Sequence, residues 1–410
     1  MRRVIIVGAG PIGIAAAVSA LERGMDVTVL ERGAAGEALL EWGETRFFTP
    51  LSMNISPSMG TLLGSQAPSP EALLTGSEMV SRVLEPIASS ALLRDRILFG
   101  HLVTGIGRRG LTRGDLAGHP LRAERPFVVQ IATGEGEQTL EADVILDASG
   151  GNVTPRAIGT GGLPAAGERA IQQPVIRTLG QLGSSRALLR GSRVLLVGHG
   201  HSAANAISVL NDIAEASPGT CITWAVRSAN RRPCEEIAND PLPERERVAS
   251  FANDLAADPP PHLSIERRAS IERIDEIDGV LRVALTGSRL VEVDHIVAFT
   301  GYKPDSSFLG ELPIELSPVT EGGARLYRAI SSITDCLSVP KLRTQDLESG
   351  EPDFYFIGSR GYGRSKTFLL QTGLSQVEQI LDRYAPRTSE SKQREEMPAT
   401  RGGVVGLESL

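Results

Sequence analysis

Hydrophobic positions along the chain come in short blocks, and the first block sets a pattern that recurs. Val4-Ile5-Ile6-Val7 is an apolar run that stops at Gly8-Ala9-Gly10-Pro11-Ile12-Gly13. Ile14 to Gly24 then reads as a helix, and Asp26 to Leu30 as a second strand that ends at Glu31. Strand, tight glycine loop, helix, strand and acid is the order that holds a dinucleotide. In this pattern Gly8 allows the sharp turn, Gly10 lets the backbone approach a pyrophosphate, and Gly13 lets the helix pack close to the strand. Pro11 is tolerated at the first helical turn. The helix N-terminus offers free N–H groups and about half a positive charge to phosphate. Glu31 is placed to accept hydrogen bonds from a ribose diol.

The same order returns at Arg193–Val197. There the strand is followed by Gly198-His199-Gly200-His201-Ser202-Ala203, a helix over 204–216 and a strand over 220–226. The second strand closes on Arg227, with Arg231 and Arg232 close behind. Arginine in place of an acid suits a 2′-phosphate, which points to NADPH; the alternative is that these are exposed loop residues. His199 and His201 form an HxH pair, but inside a phosphate loop that spacing says little about metal, and no metal is expected.

Between and after the two turns the pattern predicts a helix over 69–91, a hairpin of strands 127–131 and 138–140, and a buried strand 143–151 ending in small residues that include Gly150. The stretch 108–125 reads as a surface excursion with solvated basic charges, and 159–164 as a crossing between domains. Strands follow around 263–274, 280–285 and 291–293. A segment from Val293 to Asp305 repeats the acid, buried strand and small residues of 143–151. The last elements are a strand ending at Gly358-Ser359, a Gly/Arg loop over 360–366, a helix over 368–384 and a polar tail over 386–410. The segment from Glu41 to Pro50, with Arg46, Phe47, Phe48 and Thr49, is either a wall against a cofactor ring or a loop plugged into the core by its two phenylalanines.

Composition narrows the class. A chain of 410 residues is expected to hold two or three domains at roughly 150 residues each. With 41% hydrophobic and only 4% aromatic residues, the cores must be aliphatic. A net charge of −7 without a dense basic stripe argues against nucleic acid as a partner. Cys221, Cys234 and Cys336 are far apart and form no CxxC, so neither a redox dithiol nor a zinc knuckle is indicated. That usage suits a reducing cytoplasm. No signal peptide is expected, because the first apolar run is short and breaks at glycine, and no apolar stretch reaches the ~20 residues of a membrane span.

Taken together, the two turns, Ala298-Phe299-Thr300-Gly301-Tyr302 and the strand–glycine–loop–helix at 353–384 resemble the flavoproteins with two dinucleotide-binding domains. Within them the chain looks most like the flavin-containing monooxygenase-like branch. The resemblance covers residues 1 to about 385. It implies an α/β fold of two Rossmann-like domains, with an NADPH domain (166–298) inserted in an FAD domain (1–165 and 299–385) and the tail outside both. It implies FAD at Gly8, Gly10, Pro11, Gly13, Glu31 and Arg32, with Arg46, Thr49, Gly150, Gly301, Gly358, Ser359, Gln371 and Thr372 around the rest of the cofactor. NADPH is assigned to Gly198, Gly200, His201, Ser202, Ala203 and Arg227. The helix starting near Gln371-Thr372-Gly373 would point its N–H groups at the pyrimidine end of the flavin. Arg46 and Asn54 are the catalytic candidates, Asn54 because it loosely matches an asparagine that the monooxygenases keep near the oxygen-reacting flavin carbon.

The chain also departs from that branch. The FxGxxxHxxx(Y/F) signature is missing, since residues 151–192 contain no His. The Gly-Asp pair that usually meets the ribityl chain is Gly358-Ser359 here, and there is no thioredoxin-reductase-type dithiol. Three functions follow from the resemblance. One is a monooxygenase that uses O₂ and a flavin hydroperoxide to oxygenate a small molecule. Another is an NADPH-dependent flavin reductase or dehydrogenase, and the third is a non-catalytic flavin-binding redox sensor. Neither the substrate nor the oligomeric state, a homodimer included, is specified by the residues.

Overall fold

The first apolar run forms β1 (Arg3–Val7), followed by helix α1 (Pro11–Glu22) and β2 (Asp26–Glu31), in a computed structural model that describes residues 1–151 and 153–385. The expected tail at 386–410 lies outside the described residues. The chain continues through β3 (Ile97–Phe99), β4 (Leu102–Arg108), β5 (Phe127–Thr133), β6 (Gly136–Ala142), β7 (Val144–Asp147) and β8 (Thr154–Pro155). Next come β9 (Arg193–Val197), α2 (His201–Ala216), β10 (Cys221–Val226), α3 (Pro243–Ala257) and β11 (Leu263–Arg267). Then follow β12 (Ile271–Ile277), β13 (Val280–Leu285), β14 (Arg289–Val293), β15 (His295–Ala298) and β16 (Tyr302–Lys303). The last elements are β17 (Phe354–Phe356) and α4 (Leu370–Leu381).

Two parallel sheets dominate, in the orders β17-β7-β1-β2-β3 and β11-β10-β9-β15. Each is covered on both faces, which is why its strands read as continuous apolar runs. Side chains alternate across a strand, so Val4 and Ile6 join the core under the helices while Ile5 and Val7 face the small antiparallel sheet β4-β5-β6. The second unit repeats this layering. Val194 and Leu196 pack under the helices, and Leu195 and Val197 face β12-β13-β14. The first sheet takes β17 from the far end of the chain, whereas the second uses only strands between 193 and 298. Antiparallel β8 and β16 pair between the two units. The α/β class and the two Rossmann-type units are as the pattern predicts.

Two expectations are corrected. The helix predicted over 69–91 begins only after Thr75, whose hydroxyl and Glu78 form a capping box. It runs through a wider turn at Val80–Leu84, where the Glu85 N–H reaches back to the Val80 carbonyl. Pro86 follows directly; its ring would clash with a carbonyl four residues earlier in a regular α-helix, and the wide turn relieves that. The second correction concerns 108–125. Arg108 and Arg122 are not solvated: both side chains are fully buried, and their Nε atoms each donate to one oxygen of buried Glu351 at 2.7 Å. The Arg108 guanidinium also lies over the Phe127 ring, 3.6 Å from its centroid. The ends of the excursion are therefore anchored to a segment more than two hundred residues away.

Candidate cofactor site

Both glycine turns sit at the carboxyl ends of central strands, the place where open parallel sheets bind ligands. Gly8 adopts φ 101°, and a Cβ there would stand 2.8 Å from the Ala148 carbonyl oxygen. A Cβ on Gly13 would fall 1.9 Å from the Gly8 carbonyl oxygen. Gly198, at φ 121°, is equally closed, with the Phe299 carbonyl oxygen 2.4 Å from its Cβ position. By contrast, nothing lies within 4 Å of a Cβ on Gly10 or Gly200. The first and third positions therefore need small residues for packing, and the second faces open space from each turn. In the second turn the third position is Ala203, which is buried. Neither α1 nor α2 has a side-chain cap, so their first N–H groups remain available to an anion.

Glu31 uses one carboxylate oxygen to accept from the Ala9 N–H at 2.7 Å and the other to accept from the Gly33 N–H at 2.9 Å. It thereby ties the glycine turn to the loop after β2, and each oxygen keeps lone-pair capacity for a diol. Arg32 beside it is exposed. The Ser149 hydroxyl, beside Gly8 just after β7, is buried without a partner among the described residues, as a group awaiting a ligand would be. Open second glycines, uncapped helix starts and this orphaned hydroxyl fit a dinucleotide.

Residues from the far end of the chain close over the first turn. A Cβ on Gly358 would lie 3.0 Å from Ile12, and one on Gly373 would lie 2.8 Å from it. These two glycines let the strand end and α4 press against the turn. Ser359 accepts from the Gly151 N–H at 3.1 Å beside Gly150, whose φ is 89°. Gln371 is exposed and Thr372 half-buried in the first turn of α4. Gly358 and Gly373 thus meet Ile12, next to Pro11, and Ser359 holds the segment at Gly150–Gly151. Arg360 donates to Asp147 at 2.9 Å, both side chains being fully buried. A second oxygen of Asp147 accepts from the Ser149 N–H. The sequence signal for this pair was an acid within the apolar run Val144-Ile145-Leu146-Asp147.

The segment from Glu41 to Pro50 does two jobs. Phe47 is buried in the first core, while Phe48 packs against the second core and meets His201. Asn54 is buried: its amide donates to the Thr49 carbonyl and its oxygen accepts from the Thr49 hydroxyl. Arg46 is half exposed, donates to the Leu73 carbonyl at 2.7 Å and lies 3.6 Å from Glu78. At the second turn Ser202 and Arg227 are exposed. Arg231 instead donates to the Ala257 carbonyl, and Arg232 pairs with Glu236 and Asp254. Burial lowers the pKa of His199 and His201, reinforced chiefly by Arg227 at His199 and by Arg245 at His201. Gly301, at φ 86°, is exposed beyond β15. Among the described residues, no helix is long and apolar enough to cross a membrane.

Residues 5–79 match the family model described as pyridine nucleotide-disulphide oxidoreductase. The fold is shared with bacillithiol disulfide reductase from Bacillus cereus, at 17% identity, a TM-score of 0.64, and coverage of 94% of this chain and 98% of that one. It is also shared with ornithine N-hydroxylase from Kutzneria sp. 744, a structure with reduced FAD, NADP⁺ and L-ornithine. There the identity is 18%, the TM-score 0.62, and the coverage 97% of this chain and 100% of that one. Thioredoxin reductase from T. acidophilum matches at 18% identity with a TM-score of 0.53, over 94% and 99% of the two chains. No curated protein matches the chain significantly by sequence. The chain shares the two-unit α/β architecture of these structures.

Proposed function

We propose that the chain is an oxidoreductase that holds FAD at its first turn and NADPH at its second, with residues 1–165 and 299–385 serving the flavin and 166–298 the nicotinamide nucleotide. The observation that carries this reading is the repeated turn. Gly10 and Gly200 face open space while Gly8, Gly13 and Gly198 are closed against backbone, with Glu31 beyond one turn and Arg227 beyond the other. The amides at the start of α1 would hold the flavin pyrophosphate, and Glu31 its ribose diol. Gly358, Ser359 and the start of α4 frame the other end of that site, and Phe48 covers the start of α2 at the junction. When bound, the two cofactors supply hydride transfer and, after it, electrons for a second acceptor.

For that acceptor the first reading is O₂, with one oxygen atom going to a small molecule: substrate, NADPH, H⁺ and O₂ give oxygenated substrate, NADP⁺ and water. It is supported by the fold shared with ornithine N-hydroxylase, while the cysteines argue only against a dithiol relay. Cys221 is exposed, Cys234 buried and Cys336 half-buried, each as a free thiol, and burial pushes the Cys234 thiol up to about 12. None is poised as a dithiol relay. One contact favours a second reading, a reductase that passes the electrons to another acceptor: Asn54 is occupied on both sides by Thr49.

Anaerobic mixing with NADPH tests the common part. The FAD-reconstituted protein should be yellow and should bleach with NADPH. A protein that retains no flavin, or flavin that NADPH does not reduce, overturns the proposal. Admitting air then separates the branches. Slow recovery of colour with delayed H₂O₂ release supports oxygenation, and prompt recovery with immediate H₂O₂ supports the reductase.

A further inference from the structure

Several cations around the junction of the two units are neutralised. Arg364 pairs with Glu321, Arg245 with Asp240 and Asp335, and Lys366 with Glu235. Arg156 and Arg227 differ. Among the described residues, neither guanidinium has a carboxylate within 4.0 Å or an acceptor for its N–H groups.

Arg156 is nonetheless held firmly in place. It follows β8, its N–H donates to the Gly301 carbonyl at 2.9 Å, and its carbonyl accepts from the Thr300 hydroxyl at 2.8 Å and from Arg177 at 2.9 Å. Its side chain lies across Gly301, where a Cβ would stand 3.8 Å from Cδ and 4.0 Å from Nη1. Gly301 is two residues beyond Phe299, whose carbonyl closes Gly198 of the second turn and whose N–H donates to Val197. The Arg156 backbone is thus fixed beside the mouth of that turn, on the β15 side, with its half-buried side chain against Gly301 and Gly162 and with Arg227 on the β10 side. Burial, then the like charges of Arg364 and Arg227, lower the Arg156 pKa against a weaker opposing pull from Glu321. Arg156 and Arg227 lie close enough for their like charges to repel, and an anion between them would relieve that.

We propose that Arg156 and the amides at the start of α2 together bind the pyrophosphate of the nicotinamide nucleotide, while Arg227 answers only its 2′-phosphate. The pyrophosphate lies over β9 in such units, between the ends of β10 and β15, which is the space these two side chains flank. Because Arg156 directly follows β8 of the strand pair joining the units, nucleotide binding also ties the second turn to that connection.

The inference rests on the NADPH reading, and titration calorimetry on the flavin-loaded protein separates the two. Wild-type protein should bind NADP⁺ more tightly than NAD⁺. Arg156→Ala should weaken both by a similar factor, roughly tenfold or more for a lost charge-assisted contact, and Arg156→Lys should recover part of it. Arg227→Ala should weaken NADP⁺ far more than NAD⁺. Arg156→Ala binding both nucleotides as wild type does, with flavin content unchanged, overturns this inference and leaves the NADPH reading standing. A loss confined to NADP⁺ also overturns it, by moving Arg156 to the 2′-phosphate. Should Arg156→Ala lose its flavin, the Arg156→Lys and Arg156→Gln affinities decide: equal to wild type for both nucleotides overturns it. Wild-type protein that binds neither nucleotide overturns the NADPH reading, and this inference with it.

Discussion

Phe48 meets the imidazole of His201 edge-on, with ring centroids 5.4 Å apart. A side chain from the loop after the first turn thereby touches the first helical residue of the second. Such a contact is worth about 0.5–1.5 kcal/mol beyond the area it buries. Phe48→Ala should therefore weaken NADP⁺ binding several-fold and slow bleaching of the flavin by NADPH. Calorimetry and rapid-mixing absorbance check this. Both values at wild-type levels would show that the contact does not couple the two sites.

Glu351 holds two buried arginines at once, Arg108 and Arg122. Removing the shared carboxylate leaves two uncompensated charges in the interior, and breaking one such pair costs about 3–5 kcal/mol. Glu351→Ala should lower the melting temperature sharply or prevent accumulation of folded protein. Replacing one partner, as in Arg122→Met, should cost less. Equal melting temperatures for wild type and Glu351→Ala would contradict the ion triad.

Gly10 and Gly13 predict opposite behaviours. Gly10 has φ −75°, an ordinary value, and faces open space. Gly10→Val should fold with a melting temperature near that of apo wild type yet fail to retain FAD. Gly13→Val must push against the Gly8 carbonyl, so it should damage the fold itself. Flavin content and circular dichroism distinguish the two outcomes, and a yellow Gly10→Val protein would remove the first turn from the cofactor site.

Arg227 directly follows β10 and has no partner among the described residues. Arg227→Ala should raise KM for NADPH by roughly tenfold or more and leave KM for NADH close to wild type. Steady-state kinetics with both nucleotides measure this. Equal effects on both would remove the reason for preferring NADPH.

His199, His201 and His295 all have depressed pKa values, with burial the largest cause in each case. Arg227 and Lys366 add to the shift at His199. At His201 Arg245 and Lys366 lower it further, against Glu235 and Asp240, and at His295 Asp294 opposes it. The unfolded chain then binds more protons than the folded one below the unperturbed value of 6.5. The stability from keeping these rings neutral is full above that pH and is lost as pH falls toward the folded values. The melting temperature of the apo protein should fall between about pH 7 and about pH 5.5. His201→Gln should flatten that slope, and a slope unchanged in the variant would assign it to other groups.

The residues that were legible in the sequence are those whose role is local. Gly8, Gly13 and Gly198 are specified by a turn of six residues, and Val4–Val7 by burial on both faces of a parallel sheet. What escaped is set by partners far along the chain. Arg108 and Arg122 looked solvated because Glu351, which buries them, lies more than two hundred residues away. Asn54 carries only a local resemblance, and its engagement with Thr49 depends on how the loop folds back. Pro86 sat in an otherwise helical pattern, and the wide turn that accommodates it leaves no mark of its own on the spacing of apolar residues.

The strand order of the first sheet carries a consequence for how the protein is made. β17 and α4 complete that sheet and cover α1, and both are encoded near residues 354–381. On the ribosome, the inserted unit can finish folding while the opening β1–α1–β2 segment still waits for its missing neighbours. A nascent chain stalled before residue 354 should therefore protect the inserted unit from protease and leave the amino-terminal segment open to cleavage.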